Sequence, residues 1–293
     1  MNISTAVVGL GNIGGPIAAR IAGCGAPVVG VDGLAERRQD WAGRTGAPAV
    51  ASLAEIDSAS LERVLIVVRT TEQALGVLDE VCRAAAGRAS DPAAGPLTVH
   101  LMTTLEAAAA RQLGDLPAVA DDDGAVRVLE QPVSGGSVGA AAGTLTVLSA
   151  GPIRPTDTEF LLSTVAGRVI DFDDYGTPTL VKLVNNALAA LNTRSTAAML
   201  LLAADLGLDV RRVKQVVDTS SGASTMGEMI DRFADDQAEL LTKDVALLAG
   251  AVDRLPSVDL DPAALLADLA AVRELLNRQP GDPAATHPQG DAR

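Results

Sequence analysis

Between residues 3 and 32 the chain passes through a short apolar segment (Ile3, Ala6-Val7-Val8), then Gly9-Leu10-Gly11-Asn12-Ile13-Gly14. A helical stretch over 16–22 follows, then a second apolar segment, Val28-Val29-Gly30-Val31, ending at Asp32. This order constrains the fold more than any other feature. A G-x-G-x-x-G does its work only after a strand and at a helix start, with an acid about 20 residues on. Gly9 permits the tight turn, Gly11 lets a pyrophosphate approach the backbone, and Gly14 lets helix and strand pack closely. The helix N-terminus adds free amides and the positive end of its dipole. An alanine- and glycine-rich chain makes the six-residue pattern by chance, but strand, helix and acid together point to a dinucleotide site, with Leu10, Asn12 and Ile13 completing the loop. Asp32 can accept hydrogen bonds from ribose hydroxyls and repel a 2′-phosphate, which favours NAD over NADP. Arg37 and Arg38 argue the other way.

The alternation continues. Residues 61–68 read as a buried parallel strand, 72–88 as a helix, 97–102 as another strand and 105–113 as a helix, with a short strand at 145–148. From Gly176 onward the period is helical: 178–206, 210–219, 225–241, 245–252 and 262–278. The expected fold is α/β, an N-terminal Rossmann-type parallel sheet domain over 1–175 followed by an all-helical domain over 176–279. Residues 280–293, rich in Pro, Gly, Asp and Ala, read as a loose tail. The 178–206 helix would be about 45 Å long. It is apolar on more than one face, so other helices or a second subunit must cover it, and a homodimer or homotetramer is expected.

Two further segments carry chemistry. Glu130-Gln131-Pro132-Val133-Ser134-Gly135-Gly136-Ser137-Val138-Gly139, closing with Gly143-Thr144-Leu145-Thr146, is a small-residue loop between apolar segments. Amides without Cβ cover, with the Ser134 hydroxyl, suit a carboxylate. The carboxylates near this loop have no evident partner. In Gly176-Thr177-Pro178-Thr179-Leu180-Val181-Lys182-Leu183-Val184-Asn185-Asn186, Lys182 and Asn186 share a helix face, with Asn185 beside them. On a helix otherwise built of Leu, Val and Ala, the bland account is a lysine snorkelling to the surface beside two solvated asparagines.

All three segments, in this order, resemble the β-hydroxyacid dehydrogenases of the 6-phosphogluconate dehydrogenase superfamily, which include 3-hydroxyisobutyrate dehydrogenase and tartronate semialdehyde reductase. The resemblance covers most of residues 3–250. It implies an oxidoreductase passing a hydride between NAD(H) and a small 3-hydroxy acid or the matching semialdehyde. Lys182 then becomes the catalytic acid/base; Ser134, Gly135, Gly136 and Asn186 hold the substrate; Thr104 lies near the nicotinamide; and Lys243, of the late Lys243-Asp244 pair, lies by the cofactor. Pro178 replaces the family's second glycine. Arg69 stands where the family has an uncharged residue, and could equally pair with an anionic ligand or be solvated. The family's late glycine-rich segment and its D-x-S-A run give way to Leu255-Pro256-Ser257-Val258. The alternative in another class is a catalytically silent cofactor-binding or scaffold protein; retention of the lysine favours the enzyme.

Other classes are set aside on composition. A net charge of −14 and 2% aromatic content oppose binding of nucleic acid or anionic membranes and leave little for base stacking. No apolar run of about 18 residues is expected to span a bilayer, and no signal segment precedes the first strand, so the cytoplasm is the expected compartment. Cys24 and Cys82 read as reduced packing residues in helices, and their spacing offers no metal cluster. Asp121-Asp122-Asp123-Gly124 reads as a turn without the acid spacing of a calcium loop. His100 reads as a satisfied core or sheet-edge residue, and His287 falls in the tail. Gly135-Gly136-Ser137-Val138-Gly139 matches the nucleophile elbow G-x-S-x-G, but no helix is expected after the serine and no ordered histidine follows it.

Overall fold

The computed structural model describes residues 4–256 apart from 86–87, 89–94, 117–124 and 233–234. The expectations for the Asp121–Asp123 turn, the 262–278 helix, His287 and the 280–293 tail lie outside the described residues. The chain divides into two compact units, Met1–Asp253 and Arg254–Arg293. Only residues 254–256 of the second are described, and the architecture below is that of the first.

Six parallel strands form the main sheet: β1 (Thr5–Val8), β2 (Val28–Val31), β3 (Ala49–Val50), β4 (Arg63–Ile66), β5 (Leu97–Leu101) and β6 (Val126–Glu130), in the order β3-β2-β1-β4-β5-β6. Helices α1 (Gly14–Gly23), α2 (Ala35–Thr45), α3 (Thr71–Ala85) and α4 (Ala107–Arg111) make the connections. Strand alternation sorts the side chains between two cores. Ala6, Val8, Val64 and Ile66 meet Leu78 and Val81 of α3 on one face; Val7 and Leu65 meet Ile17 and Ile21 of α1 on the other. Trp41 of α2 is fully buried in the second core. A Cβ on Gly30 would stand 2.9 Å from both Leu10 Cδ1 and Trp41 Cε3, so only glycine lets the indole seat there. The strand order reverses between β1 and β4, and ligands of such sheets bind beyond the strand ends at that switch point.

A second, three-stranded sheet follows: β7 (Val133–Ser134) antiparallel to β8 (Leu145–Ser149), which pairs in parallel with β9 (Ala166–Asp171). Helices α5 (Gly136–Ala142) and α6 (Pro155–Thr164) connect them. Glu130 and Ala150 form an antiparallel bridge from β6 to the end of β8. A buried ion pair joins β6 to α6, Arg127 NH1 to Asp157 Oδ2 at 2.9 Å and NH2 to Oδ1 at 3.1 Å. Arg127 also donates to the Pro152 carbonyl and the Thr98 hydroxyl. Burial opposes ionisation of Asp157, but the Arg127 bonds outweigh it and hold the carboxyl below its usual range. Strand β9 was not expected, and α5 overturns the reading that no helix follows Ser137. Gly135 and Gly136, at φ +127° and +63°, provide the bend into α5, and a left-handed Gly143 ends it. Ser137 lies inside that helix rather than at its strand-to-helix turn, so the elbow reading still fails.

The remainder of the unit is helical: α7 (Thr177–Asp205), α8 (Val210–Asp218), α9 (Thr225–Glu228) and α10 (Asp235–Ala251), with α7 packed against the other three. The two helices expected over 225–241 and 245–252 are divided differently. The helix from Ser224 gives way to a 3-10 turn at Ile230–Arg232, while α10 runs unbroken through 241–245, where no Gly or Pro interrupts it. Gly227 at the break lies so close to α7 that a Cβ would stand 2.9 Å from Thr196 Oγ1. Helix α7 is also long and apolar enough to cross a membrane by length and composition, contrary to the expectation that no segment would be. Its alanines and leucines carry the average, and Val184, Leu188, Leu201, Leu202 and Leu206 are exposed. Cys24 is exposed just past α1 rather than packed, and Cys82 is half-buried in α3.

Candidate active site

The glycine loop leaves β1 at the sheet's switch point. Gly9 has φ +96°, and a Cβ there would fall 2.2 Å from the Val67 carbonyl oxygen; one on Gly14 would fall 1.9 Å from the Gly9 oxygen. Both positions are closed to any side chain. Gly11 is different: a Cβ there would meet only Arg37 NH1, at 3.9 Å, so that side of its backbone faces open space. Helix α1 starts at Gly14 with no acid in its first turn. Such a cradle, open where a phosphate would approach and bearing a helix N-terminus, fits the pyrophosphate of a dinucleotide. Asp32 is buried at the end of β2. Its carboxylate accepts from Leu10 N and Leu34 N, both at 2.9 Å, and lies 3.4 Å from Arg37 NH1. It therefore braces the glycine loop. Arg38 is turned away, donating to the Asp32 and Gly33 carbonyls.

At the next strand ends, the buried Thr103 hydroxyl accepts from Val68 N at 3.0 Å and stitches β5 to β4. Thr104 beside it is half-buried. Neither threonine caps α4, whose N-cap is Glu106. Ser134 ends the short β7, and Gly135 and Gly136 are exposed at the start of α5. Behind this loop, Gln131 is fully buried; its carbonyl lies 2.7 Å from His100 Nδ1 and its amide donates to Ser149 Oγ at 3.0 Å. His100 lies in a central strand of the core, not at the sheet edge. Burial pulls its pKa down to about 4, so it is neutral near pH 7, and its Nε2 has no partner among the described residues.

Helix α7 presents Thr179, Lys182, Leu183 and Asn186 as one buried stripe at i, i+3, i+4 and i+7, with Pro178 buried beside Thr179 in the first turn. The lysine has not snorkelled: it is 8% exposed. Burial brings its pKa down to about 8, against the field of Asp244, which favours the ammonium. Asn185 points outward and donates to Asn186 Oδ1 at 3.2 Å. From α10, the buried Asp244 accepts from Asn186 Nδ2 at 2.5 Å. Lys243 donates to the Arg69 carbonyl at 3.0 Å, tying α10 to the loop after β4. Arg69 itself is exposed and paired with Glu239 at 3.3 Å.

Lys182, Asn186 and Asp244 are thus brought together, and Lys243 ties their helix to the loop after β4. No hydrogen bond among the described residues joins Ser134, Gly135 or Gly136 to Lys182 or Asn186. The link is Glu130, one of the carboxylates near that loop for which the sequence shows no partner. Its buried carboxylate accepts from Gly176 N at 2.5 Å and Thr179 N at 2.9 Å, at the start of α7. Burial raises its pKa, opposed by the Thr179 and Gly176 donors. Glu130 and Asp244 are the residues the sequence reading missed. The only signal for Asp244 was its adjacency to Lys243, and Glu130 gave none beyond opening the loop motif. Among the described residues no cluster of His, Cys, Asp and Glu could hold a metal ion.

Comparison with known proteins gives the family and the fold. Residues 4–169 match the family described as the NAD binding domain of 6-phosphogluconate dehydrogenase, and residues 176–278 that described as NAD-binding of NADP-dependent 3-hydroxyisobutyrate dehydrogenase. The L-threonate dehydrogenase of Cupriavidus necator is 31% identical over 230 residues, 78% of this chain and 74% of that protein. The 2-(hydroxymethyl)glutarate dehydrogenase of Eubacterium barkeri is 28% identical over 79% of this chain and 74% of its own length. The crystal structure of 3-hydroxyisobutyrate dehydrogenase from Salmonella typhimurium superposes with a TM-score of 0.71 at 25% identity, covering 93% of this chain and 95% of that one. Fold and site define an NAD(P)-dependent oxidoreductase. The chain belongs to the β-hydroxyacid dehydrogenase family.

Proposed function

We propose that this enzyme interconverts a small 3-hydroxy acid and its semialdehyde with NAD(H), using Lys182 as the acid/base. The observation that carries the reading is the Lys182 amine, buried on one helix face with Asn186 and under the field of Asp244. The relatives named above are dehydrogenases of L-threonate, 2-(hydroxymethyl)glutarate and 3-hydroxyisobutyrate, all small hydroxy acids, which supports the substrate class.

When bound, NAD(H) would supply the acceptor or donor of the hydride at the hydroxyl-bearing carbon. The neutral Lys182 amine takes the hydroxyl proton in oxidation, and its ammonium returns a proton to the developing alkoxide in reduction. Asn186, oriented by Asp244, holds the substrate beside the amine. Ser134 and the amides of Gly135 and Gly136 receive the carboxylate. Gly9 to Gly14 and the α1 N-terminus hold the pyrophosphate, with Thr104 near the nicotinamide and Lys243 on the cofactor side of the cleft. Asp32 meets the ribose hydroxyls and disfavours a 2′-phosphate, so NAD is preferred to NADP. The boundary between the dinucleotide-binding and helical halves falls at about residue 175. A second copy covers the exposed apolar face of α7, giving a homodimer or homotetramer, without a nucleic-acid or membrane partner. The same reading keeps the protein in the cytoplasm, where its cysteines stay reduced.

A panel of 3-hydroxyisobutyrate, L-threonate and related acids with NAD and NADP, and of semialdehydes with the reduced cofactors, tests this. Turnover with NAD preferred is expected, and Lys182→Ala should lower kcat by about 10² or more while leaving NADH binding intact. No turnover across the panel would favour a silent cofactor-binding protein, and near-normal turnover by Lys182→Ala would refute the mechanism.

A further inference from the structure

The carboxylate of Glu130 sits where no local rule of sequence puts an acid. A helix N-terminus is ordinarily satisfied by its own flanking residue, Ser, Thr, Asp or Asn at the N-cap. The N-cap of α7 is Gly176, which has no side chain and no side-chain cap. Its φ of +86° suits glycine, and a Cβ would stand 2.5 Å from Arg111 Cγ of α4, so no capping residue fits at this position. The missing acceptor comes instead from a strand 46 residues earlier in the chain, with one Glu130 oxygen on Gly176 N and the other on Thr179 N. Glu130 is itself fixed at both ends: fully buried, bridged by its backbone to Ala150, and followed four residues later by Ser134.

Thr179 and Lys182 are three residues apart, one turn on the same buried face of α7. A contact that fixes the amide of Thr179 therefore also fixes the rotation of the helix about its axis at Lys182. We propose that Glu130 is a positioning residue: by clamping the first turn of α7 to the strand that leads into the Ser134 loop, it sets the Lys182 amine in its buried place relative to that loop. Its value for catalysis rests on the reading of Lys182 as acid/base, but its action on the position of Lys182 does not. A carboxylate suits the task because it accepts from both amides at once and its charge complements the positive end of the helix. A carboxamide of the same shape offers one acceptor and sets its NH2 against the other donor.

The test reads Lys182 directly. Competitive labelling with acetic anhydride across pH, read by mass spectrometry, gives the titration of the Lys182 amine in the parent and in Glu130→Gln. Loosening the first turn admits water to the amine, and its pKa should move up by about one unit or more towards the ordinary lysine value. Glu130→Asp keeps the charge but is one methylene short of spanning both amides, so an intermediate shift is expected; it also serves if Glu130→Gln does not fold. An unmoved Lys182 titration in the folded variant overturns the proposal, whatever the turnover. Turnover supplies the second readout. Glu130→Gln should lower kcat about tenfold or more, with NADH affinity unchanged within about twofold, and should add nothing further in a Lys182→Ala background. An equal loss in both backgrounds would mean general damage to the cleft and would also overturn the proposal. An active Lys182→Ala chain would instead refute the acid/base reading, which the labelling distinguishes because it needs no substrate.

Discussion

Burial of Lys182 has two consequences that must appear together. With its pKa at about 8 rather than 10.5, roughly one amine in ten is neutral at pH 7 and nine in ten at pH 9. An unshifted lysine would be neutral about 300-fold less often at pH 7 than this one. The kcat/KM for oxidation should therefore climb about tenfold between pH 7 and pH 9 and level off. The kcat/KM for reduction should be flat below pH 8 and fall about tenfold per unit above it. Stability also rises with pH. The folded pKa lies below the unfolded one, so this group's contribution is present above pH 10.5 and lost as pH falls through 8. At pH 7 the buried ammonium therefore destabilises the fold, by up to about 3 kcal/mol. Lys182→Met, of similar length and without charge, should abolish turnover yet melt higher at pH 7, by up to about 6–12 °C. That gain should shrink as pH rises towards 10. Initial rates in both directions across pH 6–10, with calorimetry of parent and variant, provide the measurements. Oxidation rates independent of pH over that range, or a Lys182→Met chain no more stable than the parent at pH 7, would refute the desolvation argument.

Three further outcomes are expected. Gly14→Ala puts a Cβ 1.9 Å from the Gly9 oxygen, so α1 must move off the loop; the Kd for NADH should rise about tenfold, and calorimetric titration showing a change under twofold would contradict the packing account. Asp157→Ala leaves Arg127 charged, buried and unpaired; it should cost about 3–5 kcal/mol, near 10 °C in Tm, and a loss under about 1 kcal/mol would show that water reaches the guanidinium. Light scattering at micromolar concentration should give the mass of a dimer or larger, and a monomer would rule out a second copy as the cover of α7.

The parts legible in the sequence are those whose signal is local. Gly9, Gly11, Gly14 and Asp32 lie within one βαβ unit, and their spacing reports a geometry that backbone sterics enforce. Lys182 and Asn186 lie one helical turn apart, so period alone places them on one face. The missed parts depend on partners distant in sequence. Strand β9 carries Gly167, Arg168 and Asp171 and is largely exposed, so it has little apolar alternation to read. The bend into α5 rests on two glycines that look like loop until their positive φ values turn the chain into a helix. Glu130 and Asp244 acquire their meaning from amides and an amide side chain 46 and 58 residues away. No single-sequence pattern reports such contacts.

Trp41 gives the molecule an optical label of its own. It is the sole tryptophan in the chain, fully buried, and Leu10 of the glycine loop packs in the same core. Its emission should lie at the blue end of the indole range and shift red only when the dinucleotide half opens, since no other tryptophan contributes. Reduced nicotinamide absorbs in the region where indole emits, so quenching of this one fluorophore would report occupancy of the loop beside it. A single spectroscopic channel can thus follow both the folding of the sheet and the arrival of its coenzyme, without a dye or an engineered probe.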